Sequence, residues 1–193
     1  TDKIGEAEAL GAAPEIKLIA IDAIRSAEAY SHFMLKHLAN YISTDHALIV
    51  QWDGHVVDAE RWQDTFLDYD YIGASWPQFD DGHDVGNGGF SLRSRRLLNA
   101  CRDAGFKAHH PEDLADQFSA ERSSDPANTF GYHGVFLMPQ ALGHERFWQT
   151  YQSLNDRTTL RADFRLITRA VLTGKNGVAR TLALLRDALF SRI

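Results

Sequence analysis

The sequence predicts an α/β protein in which a mainly parallel sheet is flanked by helices. Short apolar stretches typical of strands, "IKLIAIDAI", "HALIV" and "YIGASW", alternate with segments of helical periodicity through the first two thirds of the chain. The segment after Ser26, a plausible N-cap, repeats apolar residues at helical spacing over about four turns. Strands that alternate with helices in this way favour right-handed crossovers and therefore parallel pairing.

The remaining elements follow the same periodicity rules. "DAERWQDTFLDYD" predicts a short helix, and a helix from about Ser94 to Asp103 follows the glycine-rich "VGNGG" and a short strand. Pro111 suits the first position of a further helix, with two acids in its first turn. Helical spacing dominates after Gly143. Residues 1–142 are thus expected to form the α/β domain, and residues 143–193 a helical C-terminal extension packed on it.

Composition limits the function classes. The 193 residues are 44% hydrophobic and 24% charged with a net charge of -6, and the basic residues form no stripe, so nucleic acid is not an expected partner. Cys101 is the single cysteine, which excludes an internal disulfide and a cysteine-based zinc site. No apolar run is long enough to predict a membrane span or a signal peptide, and a cytoplasmic location is expected.

Asp53 is the first candidate for chemistry. It ends "HALIVQWD", where a carboxylate at the tip of a buried strand is costly unless it is paired, hydrogen-bonded or bound to a metal. In parallel sheets, ligands bind outside the carboxyl ends of the strands, which is where Asp53 would lie. The alternative is a turn cap, because Gly54 follows and aspartate is common in turns. The motif alone leaves both interpretations open.

Three later features add weaker signals. In "VGNGGFSLRS", Asn87, Gly88 and Gly89 allow close approach of a ligand to the backbone, although glycine clusters more often form a turn or bulge. "HPED" supplies Glu112 and Asp113, which on a helix cannot face the same way: one can point into a cleft while the other favours the helix N-terminus, and for at least one of them a solvated position is the simpler interpretation. "FGYHG" places His133 between aromatic and glycine residues, where an imidazole can bind a divalent cation or a phosphate, or serve only as a polar side chain.

Together, "TDHALIVQWDG", "YDYIGASW", "VGNGGFSLRSRRLL", "PED" and "FGYHG" resemble a family of bacterial proteins that carry a domain of unknown function and are regarded as glycosyltransferases. The resemblance extends from about Ile16 to Gly134. It implies a relationship to nucleotide-diphospho-sugar transferases with the GT-A fold, a Rossmann-like sheet. Such a fold normally begins with a strand and loop that hold the nucleotide base. Because only about fifteen residues precede Ile16, the first βα unit is expected to be missing.

The resemblance also implies residue roles. Asp53 in "QWD" matches the Asp-x-Asp position and would bind Mn²⁺ or Mg²⁺, with His133 completing the metal site. Hard oxygen ligands with one imidazole suit these ions better than zinc. Glu112 or Asp113 matches the acidic catalytic position. The remaining residues implied in binding the donor, preferentially a UDP-sugar, and a glycan or polysaccharide acceptor are Gln51, Trp52, Asn87, Gly88 and Gly89.

Other functions remain open alongside the transferase. A truncated, non-catalytic domain of the same fold that binds a carbohydrate or a protein partner is the main alternative. A metal-dependent hydrolase using Asp53, His133 and Glu112 has no H-x-E spacing to support it. The helices after Gly143 could cover the acceptor or form a homo-oligomer, and amphipathicity alone does not decide between these.

Overall fold

The structure is a computed structural model that describes residues 16–74, 87–103, 120–122, 130–135, 138–153 and 164–190. The chain divides into two compact units, one of residues 1–43 and 98–106 and the other of residues 44–97 and 107–193. The predicted division at residue 142 concerns a different boundary, and it stays a prediction.

The first unit is built on the helix predicted after Ser26. Helix α1 (Ala27–His32) begins where Ser26 Oγ accepts a hydrogen bond from the amide of Ala29 at 3.0 Å, which confirms Ser26 as the N-cap. The helix continues as a π-helical turn and a 3-10 turn, Phe33–His37 and Leu38–Tyr41. Lys36 Nζ donates to the carbonyl oxygens of Cys101 at 2.7 Å and of Asp103 at 3.0 Å. These charge-assisted bonds tie the π-helical turn to residues 101–103.

A four-stranded sheet lies in the second unit. Its order is β1-β4-β3-β5, with bounds His46–Val50, Asn87–Ser94, Tyr71–Ala74 and Ala120–Arg122. Strand β4 runs antiparallel to both β1 and β3, and among the strands that the structure describes only β3 and β5 pair in parallel. The register shifts at Gly73 and Ala74, where β4 has additional residues, as in a β-bulge.

The prediction of a GT-A-like, mainly parallel sheet is therefore wrong. Strands β1 and β3 run in the same direction, but β4 lies between them and runs in the opposite direction. Each of the two therefore pairs with β4 in an antiparallel ladder. The alternation of strands and helices along a sequence gives the order of elements, not which strand is inserted between which. Moreover, the chain between β1 and β3 forms no α-helix; it makes strand β2 (Gly54–Val56) and two 3-10 turns, Ala59–Arg61 and Asp64–Asp68.

The predicted strand "IKLIAIDAI" is also not observed. Residues 16–25 adopt neither helix nor strand, and Ile16 is exposed. A strand requires a neighbouring strand to satisfy its backbone groups, and these residues belong to no ladder within the described part of the chain. Local apolar composition was therefore not sufficient to form this element.

A two-stranded antiparallel sheet carries the "QWDG" and "FGYHG" motifs. Strand β2 (Gly54–Val56) pairs with β6 (Gly131–His133) so that Gly54 lies opposite His133. The ring of Phe90, from β4, fills the space beside Gly131: a Cβ on that glycine would lie 2.2 Å from the ring. This contact packs the two-stranded sheet against the larger one.

The start of helix α2 (Arg95–Ala100) is fixed by a buried polar network. Ser94 Oγ accepts from the amide of Leu97 at 3.0 Å, as an N-cap does, and donates to Asp70 Oδ1 at 2.5 Å. Arg96 pairs with the same Asp70 carboxylate. The buried carboxylate at the start of β3 is thus fully engaged by two partners.

In the described residues after β6 the chain forms helices α3 (Met138–Ala141), α4 (His144–Ser153), α5 (Phe164–Leu172) and α6 (Gly177–Phe190). They share an apolar core with the end of β6. Its buried members are Tyr132, Val135, Met138, Phe147, Tyr151, Ile167, Val171 and Leu184. The helices thus lie against the strand that carries His133. Among the described residues, no helix is both long enough and apolar enough to cross a membrane.

We predict that Leu184→Ala lowers the free energy of unfolding by about 2 to 5 kcal/mol, because the side chain is 0% exposed and its truncation leaves a cavity in this core. Leu182→Ala is the matched control: it lies on the same helix, is 61% exposed and should change stability by less than about 0.5 kcal/mol. Chemical denaturation of both variants measures the difference. Equal losses would contradict the packing described here.

Candidate functional site

The site begins where β1 ends and the chain turns into β2. The amide of Gln51 donates to the carbonyl of Gly89 at 2.7 Å, which extends the β1–β4 pairing by one residue. The amide of Gly54 then donates back to the carbonyl of Gln51 at 3.0 Å, closing a tight turn. Asp53 lies in this turn and is 8% exposed. Its carboxylate is therefore buried directly after the strand, where the sequence predicts it.

His133 is the partner of this carboxylate. Because Gly54 pairs with His133 across the β2–β6 sheet, the imidazole is delivered beside Asp53 from a residue eighty positions later. Nε2 of His133 lies 3.0 Å from Asp53 Oδ1 and 3.0 Å from Gln51 Oε1. The amide of Gly134 donates to the carbonyl of Asp53 at 3.0 Å and ties the end of β6 to the same turn.

Gly89 makes room for the imidazole. A Cβ at this position would lie 2.0 Å from Nε2 of His133, and within 2.6 Å of two of its ring carbons. The ring therefore lies directly against the backbone of β4. A glycine is required here for close approach between a side chain and a strand, not for an unusual backbone angle.

The other face of β6 carries Tyr132, whose ring stacks on His55 with centroids 5.7 Å apart. The phenol oxygen is buried, and no described group forms a hydrogen bond with it. Burial raises the pKa of Tyr132 well above its usual range, and the negative charge of Asp53 raises it further. The phenol therefore stays neutral at physiological pH.

The donor atoms at Asp53 fit a divalent cation. One imidazole nitrogen and two oxygens converge, and each oxygen is 3.0 Å from that nitrogen. Neighbouring ligands in an octahedral site, each about 2.1 Å from the ion, lie roughly 3.0 Å apart. Two of the donors, Asp53 and His133, are the predicted metal ligands. The third donor is the side-chain amide oxygen of Gln51. Among the described residues, no three His, Cys, Asp or Glu side chains cluster as metal ligands would.

The same atoms can also form ordinary hydrogen bonds. If Nε2 of His133 carries the proton, it donates to the two oxygens, and the contact needs no ion. In that tautomer Nδ1 is left as a buried acceptor, and the described residues provide it with no partner. Nδ1 has no described partner with either proton position or with an ion at Nε2, so this nitrogen does not distinguish a hydrogen-bonded pair from a metal site.

The remaining predicted residues are placed as follows. Trp52 lies between the two oxygen donors in sequence and is 42% exposed. Gly88 and Asn87 lie at the start of β4, where Asn87 pairs with Ala74. The side chain of Asn87 is not described, and Glu112 and Asp113 lie outside the described residues. The structure therefore brings together Gln51, Asp53, Gly89 and His133, and the acidic catalytic position stays a prediction.

Two residues of this region were missed by the sequence analysis. Ser91 and Arg93 follow Gly89 on β4 and lie two residues apart, so these two share one face of the strand. Both side chains are buried, at 1% and 5% exposure. The alternation of polar residues after the glycines was the available signal, but "FSLRS" also fits a half-exposed strand.

One comparison with known proteins assigns a family. The sequence model of a family described as "Protein of unknown function (DUF5672)" matches residues 14–130, more than half of the 193 residues. The chain belongs to the DUF5672 family. The match includes Gln51, Asp53 and Gly89, and it ends three residues before His133. No curated protein matches the chain, and no solved structure does. The expected domain of unknown function is confirmed, and the description assigns it no activity.

We predict that Gly89→Ala destabilises the protein by about 1 to 3 kcal/mol, because the new methyl group overlaps the imidazole of His133. In a His133→Ala background the overlap is removed, so the same glycine substitution should cost less. Unfolding free energies of the two single variants and the double variant measure this coupling. Additive costs would show that Gly89 and His133 do not contact each other.

We also predict a pH dependence from Tyr132. Its pKa is raised in the folded state, so above about pH 10 the unfolded chain releases the phenolic proton while the folded chain retains it. Stability from this group is present below about pH 10 and is lost as the pH rises. Unfolding free energies measured across this range should fall less steeply with pH for Tyr132→Phe than for the wild type.

Tyr41→Phe is the control for this experiment, because Tyr41 is 41% exposed and its loss should leave the slope unchanged. At neutral pH, Tyr132→Phe should be neutral or stabilising, since the hydroxyl that it removes is buried without a described partner. A large loss of stability at neutral pH would contradict this placement of the hydroxyl.

Proposed function

We propose that this chain is a metal-dependent glycosyltransferase that transfers a sugar from a nucleotide-diphospho sugar, preferentially a UDP-sugar, to a glycan or polysaccharide acceptor. The observation that carries the proposal is the convergence of the Asp53 carboxylate, the His133 imidazole and the Gln51 amide oxygen at the end of β1. The proposal rests on these groups and not on the sheet, whose antiparallel pairings differ from the expected fold.

Asp53 and His133 are the residues that would hold Mn²⁺ or Mg²⁺, with the Gln51 oxygen beside them. Such an ion, when bound, neutralises negative charge on a departing nucleoside diphosphate. Asp53 supplies the protein's negative charge at this point, and the close fit of His133 on Gly89 keeps the imidazole oriented. In this proposal, Glu112 or Asp113 accepts the proton of the acceptor hydroxyl as general base.

Trp52 would contribute to sugar binding. Trp52 is 42% exposed directly between Gln51 and Asp53, so part of the residue is accessible to an apolar face of a sugar ring. We place the reaction in the cytoplasm, because the chain has a single cysteine and can form no internal disulfide.

A non-catalytic domain that binds carbohydrates is the second candidate. The exposed Trp52 favours it equally, because stacking on a sugar needs neither a metal nor a nucleotide. Asp53 and His133 can also satisfy each other as a buried pair, with the carboxylate accepting the imidazole N–H. The two candidates therefore differ in one property, which is the requirement for a metal ion and a nucleotide.

The deciding experiment is calorimetric titration of the protein with UDP, GDP and CDP, each with and without Mn²⁺. We predict metal-dependent binding of one nucleotide, preferentially UDP, and at least tenfold weaker binding for Asp53→Asn because the metal loses its only anionic described ligand. Asp45→Asn is the matched control: it makes the same change at the exposed residue just before β1, and it should bind like the wild type.

Two results would favour the second candidate. One is a failure of all three nucleotides to bind under either condition. The other is binding of soluble glycans without metal that Trp52→Ala weakens and Asp53→Asn does not. Equal nucleotide affinity in Asp53→Asn and Asp45→Asn would reject Asp53 as a metal ligand.

A further inference from the structure

A buried arginine lies on the same strand as the site, and neither the resemblance nor the proposed function uses it. Arg93 is 5% exposed, and its side chain folds back along β4. Nε donates to Ser91 Oγ at 3.1 Å, and Nη2 lies 3.4 Å from the carbonyl oxygen of Gly88. Ser91 Oγ itself donates to the same carbonyl at 3.2 Å. The guanidinium is therefore held in one orientation by neutral groups.

No carboxylate compensates this charge within the described part of the chain. The two buried acids there are Asp70, which binds Ser94 and Arg96, and Asp53, which contacts His133. The ring of Tyr71, directly across the sheet from Arg93, lies 5.5 Å below the guanidinium carbon and supplies only a partial counter-charge. A buried cation without an anionic partner is costly, and this cost is removed when an anion binds.

The guanidinium also retains donors for such an anion. It has five N–H groups. One is used by Ser91 and one is directed at Gly88, which leaves three without an acceptor among the described residues. A planar fork with several free N–H groups matches the oxygen atoms of a phosphate. Both the cost of burying the charge and the unused N–H donors therefore favour an anion such as phosphate as the ligand.

The position of Arg93 relates it to the candidate site. Its Nη2 lies beside Gly88, where a Cβ would be 2.9 Å away, and His133 lies against the next residue, Gly89. Gly88 is only partly buried, so a ligand can approach this end of the guanidinium. The anion would therefore bind beside Gly88, one residue before the glycine that contacts His133.

We propose that Arg93, braced by Ser91 and the Gly88 carbonyl, forms an anion-binding site for a phosphate group. The anion site itself does not require glycosyl transfer. Its assignment to the diphosphate of the donor rests on the proposed function, in which Asp53 and His133 would hold the metal ion and Arg93 would bind phosphate oxygens. Inorganic phosphate or a phosphorylated acceptor would use the same chemistry.

The test uses inorganic pyrophosphate in the presence of EDTA, so that the metal site cannot contribute. We predict that the wild type binds pyrophosphate by calorimetry and that Arg93→Met binds it at least tenfold more weakly, because charge-assisted hydrogen bonds are lost. Arg93→Lys should be intermediate, since it keeps the charge but loses the planar fork. Arg165→Met, which removes an exposed arginine from α5, is the matched control and should bind like the wild type.

Ser91→Ala keeps the inference testable if Arg93→Met does not fold. It leaves the guanidinium in place but removes the acceptor that orients Nε, so pyrophosphate should bind several-fold more weakly. Binding of pyrophosphate should also raise the melting temperature of the wild type, by linkage, and that of Arg165→Met equally. Absence of binding by the wild type, or equal affinity in the wild type and Arg93→Met, would overturn the proposal.

Further ligands separate this proposal from the proposed function. Tighter binding of UDP with Mn²⁺ than of pyrophosphate, weakened by both Arg93→Met and Asp53→Asn, assigns the anion to a nucleotide donor. Pyrophosphate or phosphate binding that depends on Arg93 but gains nothing from Mn²⁺ or nucleotide would keep the anion site and reject the transferase. Metal-dependent nucleotide binding that Arg93→Met leaves unchanged would support the transferase and reject Arg93 as the anion ligand.

Discussion

The candidate site depends on one close contact, the imidazole of His133 lying on the backbone of Gly89. A single methyl group at position 89 would overlap the ring. This contact allows the two-stranded sheet to approach the four-stranded sheet, so that a residue of β6 meets the turn that follows β1. Without it, the buried carboxylate of Asp53 would lose the partner that its burial requires.

Several independent constraints hold this contact in place. The β2–β6 register sets Gly54 opposite His133, and the amide of Gly134 binds the carbonyl of Asp53. On the other side of β6, Tyr132 is buried in the apolar core that the C-terminal helices complete. Because adjacent residues of a strand point to opposite faces, burying one side chain fixes the direction of the next. The helical core therefore orients His133 without touching the candidate metal ligands.

The sequence predicted the local features of this region better than its long-range ones. Ser26 as a helix cap, the strand "HALIV" and the buried position of Asp53 follow from periodicity and from the chemistry of single residues, and the structure has them. The direction of β4 could not be predicted, because strand insertion depends on pairing between distant segments. The apolar run at residues 16–21 failed for the same reason, since a strand without a neighbour is unstable however apolar it is.

The same difference between local and long-range features separates the residues of the site. Asp53 and His133 were noticed because a polar group in an apolar or glycine-rich context is unusual at the level of the sequence. Arg93 and Ser91 were not, because arginine and serine on a strand are ordinary until the structure shows that both are buried. What makes Arg93 notable is the absence of a counter-charge among the described residues, and that property belongs to the folded arrangement and not to any stretch of sequence.

Two buried charges of opposite sign thus lie near the glycines of β4 without forming an ion pair with each other. Asp53 is engaged by an imidazole, and Arg93 is held by a hydroxyl and a carbonyl, both of which are neutral. A direct pair would satisfy both charges and leave little for a ligand to gain. In the two proposals, these charges serve one ligand, a diphosphate with a divalent cation, because the cation suits the carboxylate and the phosphate oxygens suit the guanidinium.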